Sequence, residues 1–162
     1  MFTSTGIKQV LVGILVLLLC FSGTAAAAAE SFDRANLRFR DLSEQDLRGN
    51  DYTRADLAGA DLSHSNLQGV RLFDATLNQA KLVGADLRGA TLDGVRFIRA
   101  DLTNAILESA YAFDTDFRGA TIEGADFTDV LLDPKTNDEL CEIAAGINPV
   151  TGRSTRDTLY CP

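Results

Sequence analysis

The chain has 162 residues, 46% of them hydrophobic, and a formal net charge of -8. This length suggests one domain with small appendages. The acidic balance argues against direct binding to nucleic acid or to anionic lipid, because contact with phosphate groups needs basic residues. We therefore expect no nucleic-acid partner.

Residues 1–29 differ from the rest of the chain. Their one charged residue, Lys8, precedes a run of about 12 apolar residues and then five alanines. A basic start, a short apolar run and small residues at the end are typical of a secretory signal peptide, so we expect cleavage after Ala29. A spanning helix needs roughly 20 apolar residues. We expect no stable membrane anchor after cleavage, and an uncleaved anchor is the alternative.

A five-residue pattern runs without insertion from Ala35 to Asp133, for example at residues 55–59 (ADLAG) and 85–89 (ADLRG). Nineteen of the 20 central residues are large and apolar. In chain order the centres are Leu37, Leu42, Leu47, Tyr52, Leu57, Leu62, Leu67, Leu72, Leu77, Leu82, Leu87, Leu92, Phe97, Leu102, Leu107, Ala112, Phe117, Ile122, Phe127 and Leu132. A period of five fits neither a helix nor a flat strand. It fits a chain that turns a corner in every unit and always points the centre inward.

The other positions of the unit support this interpretation. The residue two before the centre is mostly alanine, and a large and a small inward residue together fill a narrow interior. Glycine recurs two residues after the centre, where a tight turn needs unusual backbone angles. The first units instead carry Arg40, Gln45 and Asn50 at the small inward position. We interpret them as an N-terminal cap coil, which residues 30–34 close with Phe32 as a plug.

These units resemble the pentapeptide-repeat family, whose motif is A(D/N)LXX. The resemblance implies an all-β fold, a right-handed quadrilateral β-helix with four units per coil. Twenty units then make about five coils, and residues 20 apart stack on one another. The implied organisation is a signal peptide (1–29), an N-terminal cap segment (30–34), the β-solenoid (35–133) and a C-terminal helical, disulfide-closed tail (134–162).

The tail begins where Asp133-Pro134 breaks the pattern. Residues 137–146 predict a short helix that Asn137 or Asp138 caps and Gly146 ends. Residues 148–152 (NPVTG) predict a turn. Outside the leader the chain has two cysteines, Cys141 and Cys161, which form a candidate disulfide in an exported protein.

This tail is similar to that of the small thylakoid-lumen pentapeptide-repeat proteins of chloroplasts and cyanobacteria. The similarity lies in a helical segment followed by Cys141, the turn at 148–152, and Leu159-Tyr160-Cys161. It implies an exported protein of the thylakoid lumen, or of the periplasm, in a photosynthetic organism, with a cyanobacterium preferred. That group offers no catalytic residues to carry over.

Charged and polar residues offer candidate sites. Stacking places Asp41 above Asp61 and then Lys81, so a cation site between the two carboxylates is conceivable. A solvated acidic face is the preferred interpretation. The single histidine, His64, lies on an outward corner and is not expected to be a ligand or a base. We expect no catalytic residue, no metal and no cofactor.

Outward apolar residues are the more informative anomaly. They belong to the fourth column, which comprises the units centred on Tyr52, Leu72, Leu92, Ala112 and Leu132. Phe73, Tyr111, Phe113 and Leu131 flank these centres and are the candidate partner surface, since exposed apolar patches often mark partners. Two alternatives are that the tail folds over this column, or that a bulge at the small Ala112 turns Phe113 inward.

The sequence thus predicts a non-enzymatic, exported protein that acts as an interaction or structural module for an unidentified protein partner. We expect a monomer. The alternative comes from the family resemblance, because some pentapeptide-repeat proteins resemble an acidic DNA duplex and bind DNA gyrase. The predicted signal peptide argues against that alternative.

Overall fold

The computed structural model describes residues 29–162, so the predicted signal peptide, apart from Ala29, lies outside the described residues. From residue 31 to residue 130 a bridging residue and a turn alternate once in every five residues. Parallel bridges join residues 20 apart, from Ser31↔Asp51 to Ile106↔Asp126. This confirms the predicted 20-residue stacking of the units.

Within residues 29–162, the regular elements are few and lie in the C-terminal half. Strand β1 (Tyr111–Ala112) pairs in parallel with β2 (Leu131–Leu132), and helices α1 (Pro134–Ile143) and α2 (Thr155–Thr158) follow. An antiparallel bridge joins Ile147 to Ser154. Within residues 29–162, neither helix has the length and hydropathy that a membrane crossing requires.

Backbone hydrogen bonds run between successive coils. The amide of Leu82 donates to the carbonyl of Asp101 at 2.7 Å, and the amide of Asp101 donates to the carbonyl of Ala80 at 2.9 Å. The same two bonds recur along the repeat. The polar backbone groups of the inner coils are thus satisfied without long strands.

The corner residue, two after each centre from Leu37 to Phe127, adopts the left-handed conformation. Glycine there has φ between +63° and +70°, and other residues also adopt positive φ, for example His64 at +58°. The unusual backbone predicted for this position is confirmed, although glycine is not obligatory. Gly84 has a further reason to lack a side chain, because a Cβ would overlap the ring of His64 in the coil before it.

The core is a continuous interior of the predicted centres and small residues. From Leu57 to Leu107 every central side chain is 0–1% exposed. The rings of Phe97 and Phe117 stack with centroids 5.3 Å apart, and Phe127 meets Phe117 edge-on at 6.1 Å. Burial of each such side chain contributes roughly 1.5–3 kcal/mol.

The N-terminal end is more open. Phe32 occupies the central position one unit before Leu37, and its ring stacks on Tyr52 with centroids 5.0 Å apart. A cavity of about 550 Å³ lies at this end between apolar Leu42 and polar Arg40, among other residues. Phe32 itself is half-buried.

The tail folds differently from the prediction at its start. Helix α1 begins at Pro134 with Asp133 in the N-cap position, so the prediction of Asn137 or Asp138 as the cap is wrong. Proline has a fixed φ and lacks an amide hydrogen, which suits the first helical position. The helix ends at Ile143 with Ala144 as its C-cap, so the prediction that Gly146 ends it is also wrong.

The disulfide between Cys141 and Cys161 is present, with the two Cα atoms 5.6 Å apart. It joins α1 to the end of the chain across 20 residues. Closing a loop of that length stabilises a fold by roughly 3 kcal/mol in the chain-entropy model.

Candidate functional site

The four residues of the candidate partner surface all reach solvent. Phe73, Tyr111, Phe113 and Leu131 are 45%, 50%, 45% and 47% exposed. Ala112 is fully buried and lies in the regular β1–β2 ladder, while Phe113 remains outward. The tail therefore does not cover these four residues, and no bulge at Ala112 turns Phe113 inward.

Three of the four residues lie together. Tyr111 pairs with Leu131 across the β1–β2 ladder, and Phe113 lies in the turn that directly follows β1. We name Tyr111, Phe113 and Leu131 the apolar patch.

Phe73 is separate from this patch. Between Phe73 and Phe113 lies the coil that carries Asp93, and the amide of Phe113 donates to Asp93 Oδ1 at 3.1 Å. Phe73 and the apolar patch are thus two apolar areas with a carboxylate between them. The position of Asp93 between the two phenylalanines could have been predicted from the 20-residue spacing, because Asp93 is 20 residues from each of them.

The acidic column of Asp41, Asp61 and Lys81 forms as predicted. Asp41 bridges Asp61 and Asp61 bridges Lys81, whose Nζ lies 3.4 Å from Asp61 Oδ2. The Ser43 hydroxyl donates to Asp41 at 2.6 Å, and this bond lowers the pKa of Asp41. Within the described part of the chain, no three Asp, Glu, His or Cys side chains are close enough to hold a metal ion.

The tail carries a buried polar anchor that sequence reasoning missed. The Asn148 side chain is 0% exposed, and its Nδ2 donates to the carbonyls of Asn104 at 3.1 Å and Gly124 at 2.9 Å. Its Oδ1 accepts the amides of Val150 and Thr151 at 2.9 and 3.1 Å. Asn148 therefore joins the predicted turn to the last two coils.

An ion-pair network lies beside this anchor. Arg153 Nε donates to Asp126 Oδ2 at 2.8 Å, and its second guanidinium nitrogen donates to Glu108 at 2.7 Å. Asp126 is fully buried. Burial raises the pKa of Asp126, but hydrogen bonds from Thr128 and the charge of Arg153 outweigh it, and the net pKa is lowered.

We expect the protein to lose stability in acid. The pKa is lowered for eight aspartates, namely Asp41, Asp46, Asp51, Asp56, Asp61, Asp86, Asp116 and Asp126. Since a folded pKa lies below the unfolded value of about 3.9, the stabilisation is complete above that value and is lost as pH falls through the folded pKa. Melting temperatures should be flat from pH 7 to about 5 and drop below about 4. An unchanged melting temperature at pH 3 would contradict this.

Comparison with known proteins supports the interpretation of the repeat as a pentapeptide-repeat fold. The family model of pentapeptide repeats matches residues 31–69 and 71–108. A solved pentapeptide-repeat protein from the thylakoid lumen of Arabidopsis thaliana is 42% identical, over 77% of this chain and 90% of that one, with a TM-score of 0.56. This chain belongs to the pentapeptide-repeat family. The similar solved structures of this family imply a right-handed β-helix.

Two further relatives are similar over different lengths. A solved pentapeptide-repeat protein from Nostoc PCC 7120 is 34% identical, over 65% of this chain and 86% of that one, with a TM-score of 0.56. A thylakoid lumenal 15 kDa protein of Arabidopsis thaliana chloroplasts is 54% identical over 37 residues, which are 23% of this chain and 16% of that protein. The two thylakoid-lumen relatives support an exported, thylakoid-lumen location for this pentapeptide-repeat protein.

Proposed function

We propose that this pentapeptide-repeat protein is a non-enzymatic interaction module that binds a protein partner through the apolar patch. The observation that carries the proposal is that Tyr111, Phe113 and Leu131 are each about half exposed, with Tyr111 and Leu131 paired in the β1–β2 ladder and Phe113 in the turn that directly follows β1. Contiguous apolar side chains that remain exposed on a folded protein commonly mark an interaction surface. The exposure of these side chains is a stronger argument than the acidic charge, because charge alone does not locate a surface.

A rigid scaffold supports such a surface. We propose a quadrilateral solenoid of about five coils, which a turn in every five residues and the 20-residue spacing of the bridges support. Each side is then a short, flat ladder whose side chains are held at strand spacing, about 4.8 Å from coil to coil. Little conformational entropy is lost when such a surface binds a partner.

The test is in-cell crosslinking of the tagged protein, expressed with its own leader in a photosynthetic host, followed by mass spectrometry. We expect a reproducible partner whose recovery falls about tenfold in a Tyr111→Ser, Phe113→Ser variant, since central aromatic residues dominate interface energies. A Phe39→Ser, Val150→Ser variant is the matched control, because Phe39 and Val150 are 73% and 77% exposed and lie outside the fourth column. An equal partner profile in both variants would contradict the proposal.

The gyrase-binding alternative stays a prediction that rests on the family resemblance and on the acidic charge. DNA gyrase acts on cytoplasmic DNA, so a thylakoid-lumen location separates the two proteins. A DNA supercoiling assay with purified protein distinguishes the alternatives, because only a gyrase-binding DNA mimic would inhibit supercoiling.

A further inference from the structure

We infer that the partner segment bound at the apolar patch is a polypeptide that combines apolar residues with flanking lysine or arginine. This inference rests on the proposed function and names the chemistry of the partner. It follows from four aspartates around Phe73 and the patch that form no ion pair within residues 29–162, whereas most aspartates elsewhere on the solenoid do.

Most aspartates elsewhere on the solenoid have an ionic partner. Asp46 pairs with Arg48 at 2.7 Å and Asp51 with Arg71 at 3.2 Å, and Asp86 and Asp116 pair with the arginines two residues after them. These pairs neutralise the coil surface locally. Such exposed pairs contribute little stability, but they leave little net charge for a partner to recognise.

The carboxylates around Phe73 and the apolar patch are different. Within residues 29–162, none of four aspartates around Phe73 and the apolar patch forms an ion pair, namely Asp74, Asp93, Asp114 and Asp133. Asp93 and Asp133 accept only backbone amides, from Phe113 at 3.1 Å and from Asp114 at 2.7 Å. The apolar patch is thus close to carboxylates that no basic side chain pairs with.

The basic residues of this face are already engaged. Arg71 pairs with Asp51, and Arg54 pairs with Asp33 at 2.9 Å, both at the N-terminal end of the column. Lys135, the next basic residue after Asp133 along the chain, pairs with Glu139 within α1 at 3.6 Å. Neutralisation of the four aspartates must therefore come from solvent ions or from a bound partner.

A cleft beside the patch offers a place for a basic side chain. It has a volume of about 570 Å³ and lies between the corner at Asp114 and the first turns of α1. Its lining includes the carboxylates of Asp114 and Asp133, and also two ion pairs, Arg118 with Asp116 and Lys135 with Glu139. Asp114 directly follows Phe113 in the chain. A lysine or arginine that flanks an apolar residue on the patch would therefore reach carboxylate oxygens in this cleft.

The arrangement matches the usual anatomy of an interface, with apolar side chains at the centre and polar or charged groups at the rim. Complementary charge at a rim raises the association rate and selects among partners more than it adds affinity. The same four carboxylates would repel an anionic lipid surface. The charge therefore favours a basic protein segment over a membrane.

The test uses two fluorescent synthetic peptides of equal length with the same apolar helical positions, one with lysine and one with glutamate at the polar positions. The protein is produced from the full chain and purified after export. We expect the lysine peptide to bind, and the glutamate peptide to bind at least about tenfold more weakly. Binding of the lysine peptide should weaken as salt increases, because the rim charges are exposed to solvent.

Two charge variants make the test specific to this surface. The first variant changes Asp74, Asp93, Asp114 and Asp133 to asparagine, whose side-chain oxygen can still accept a backbone amide. It should raise the Kd of the lysine peptide about tenfold. The matched control removes four exposed carboxylates that form no ion pair within residues 29–162, through Glu44→Gln, Glu123→Gln, Asp138→Asn and Glu142→Gln. Its Kd should change less than about twofold.

Equal effects of the two charge variants would overturn the inference, because general acidity would then explain binding. Equal binding of the two peptides would overturn it as well. A cellular crosslink at position 113 to a segment without lysine or arginine would overturn the basic chemistry and leave the proposed interaction function standing. The absence of any patch-dependent crosslink would instead overturn the proposed function.

Discussion

Replacing Leu82 with aspartate is expected to abolish the cooperative unfolding transition of the solenoid. Leu82 is 0% exposed, and its neighbours at the 20-residue spacing, Leu62 and Leu102, are also buried. A carboxylate there has no polar partner, and burying an unpaired charge costs far more than the roughly 2 kcal/mol of apolar burial that is lost. The total stability of a domain is only about 5–15 kcal/mol. The variant should therefore not fold.

The position of Leu82 makes the effect global. In a solenoid each coil contacts only its neighbours, so a defect in a central coil separates the two ends and removes the interfaces on both sides. Circular dichroism during a thermal scan measures the outcome, and we expect no sigmoidal transition for the variant.

A control separates the buried position from the added charge. Gln79→Asp adds the same charge at an exposed corner three residues before Leu82, where φ is +59°. Aspartate tolerates this left-handed conformation. The control should melt within a few degrees of the unaltered protein, and a cooperative Leu82→Asp transition near the same temperature would contradict the prediction.

The sequence was sufficient to predict most of the solenoid because one local rule operates in every unit. The five-residue period determined which side chains are buried, from Leu57 to Leu107, and which corner adopts the left-handed backbone. The same register led to Phe73, Tyr111, Phe113 and Leu131 as outward residues. Each of these predictions depends only on position within a unit, so no knowledge of distant contacts was needed.

The tail could not be predicted in the same way, because its contacts are not periodic. Asn148 bonds the carbonyl of Asn104, which is 44 residues away, and Arg153 bonds Glu108, which is 45 residues away. In the sequence Asn148 was assigned only to a turn, since asparagine before proline usually marks one. The helix start was misplaced because Asp133-Pro134 was interpreted as a break in the repeat instead of as an N-cap followed by a first helical residue.

The same reasoning explains why the unpaired aspartates went unnoticed. Aspartate is common throughout the repeat, and sequence alone does not show which carboxylate meets an arginine. Asp86 and Asp116 are each two residues before an arginine that pairs with them. Asp93 has Val95 at that position and remains unpaired in the described structure. An arginine two residues after an aspartate thus predicts some of the ion pairs from sequence, and the remaining pairs are visible only in the folded coil.

Replacing Asn148 with leucine is expected to detach the tail from the solenoid while the inner coils stay folded. Leucine has a similar shape but removes the donors to the carbonyls of Asn104 and Gly124, whereas the Ala105 carbonyl still accepts the amide of Asp126 at 2.9 Å. Buried groups left without partners cost about 1–3 kcal/mol each, so the local free energy of opening should fall by about 3 kcal/mol or more. The disulfide keeps α1 attached to the chain end but makes no contact that replaces these bonds.

Hydrogen exchange measured amide by amide distinguishes detachment from global unfolding. The amide of Gly124 donates to Ala145 at 2.8 Å, and that of Phe127 donates to the Thr158 hydroxyl at 3.1 Å, so both depend on the docked tail. In the variant they should exchange at least about a hundredfold faster, as a loss of about 3 kcal/mol requires. The amide of Leu82, bonded within the inner coils, should keep its protection.

Asn137→Leu is the matched control, since it removes the same side chain from the same tail. Asn137 Nδ2 donates to one carbonyl, that of Leu159 at 3.2 Å, and its loss should cost only about 1 kcal/mol. Equal exchange in the two variants would show that the tail is held by something other than the Asn148 anchor. The Arg153 pairs with Asp126 and Glu108 would then be the next attachment to test, because they join the same tail to the same coils.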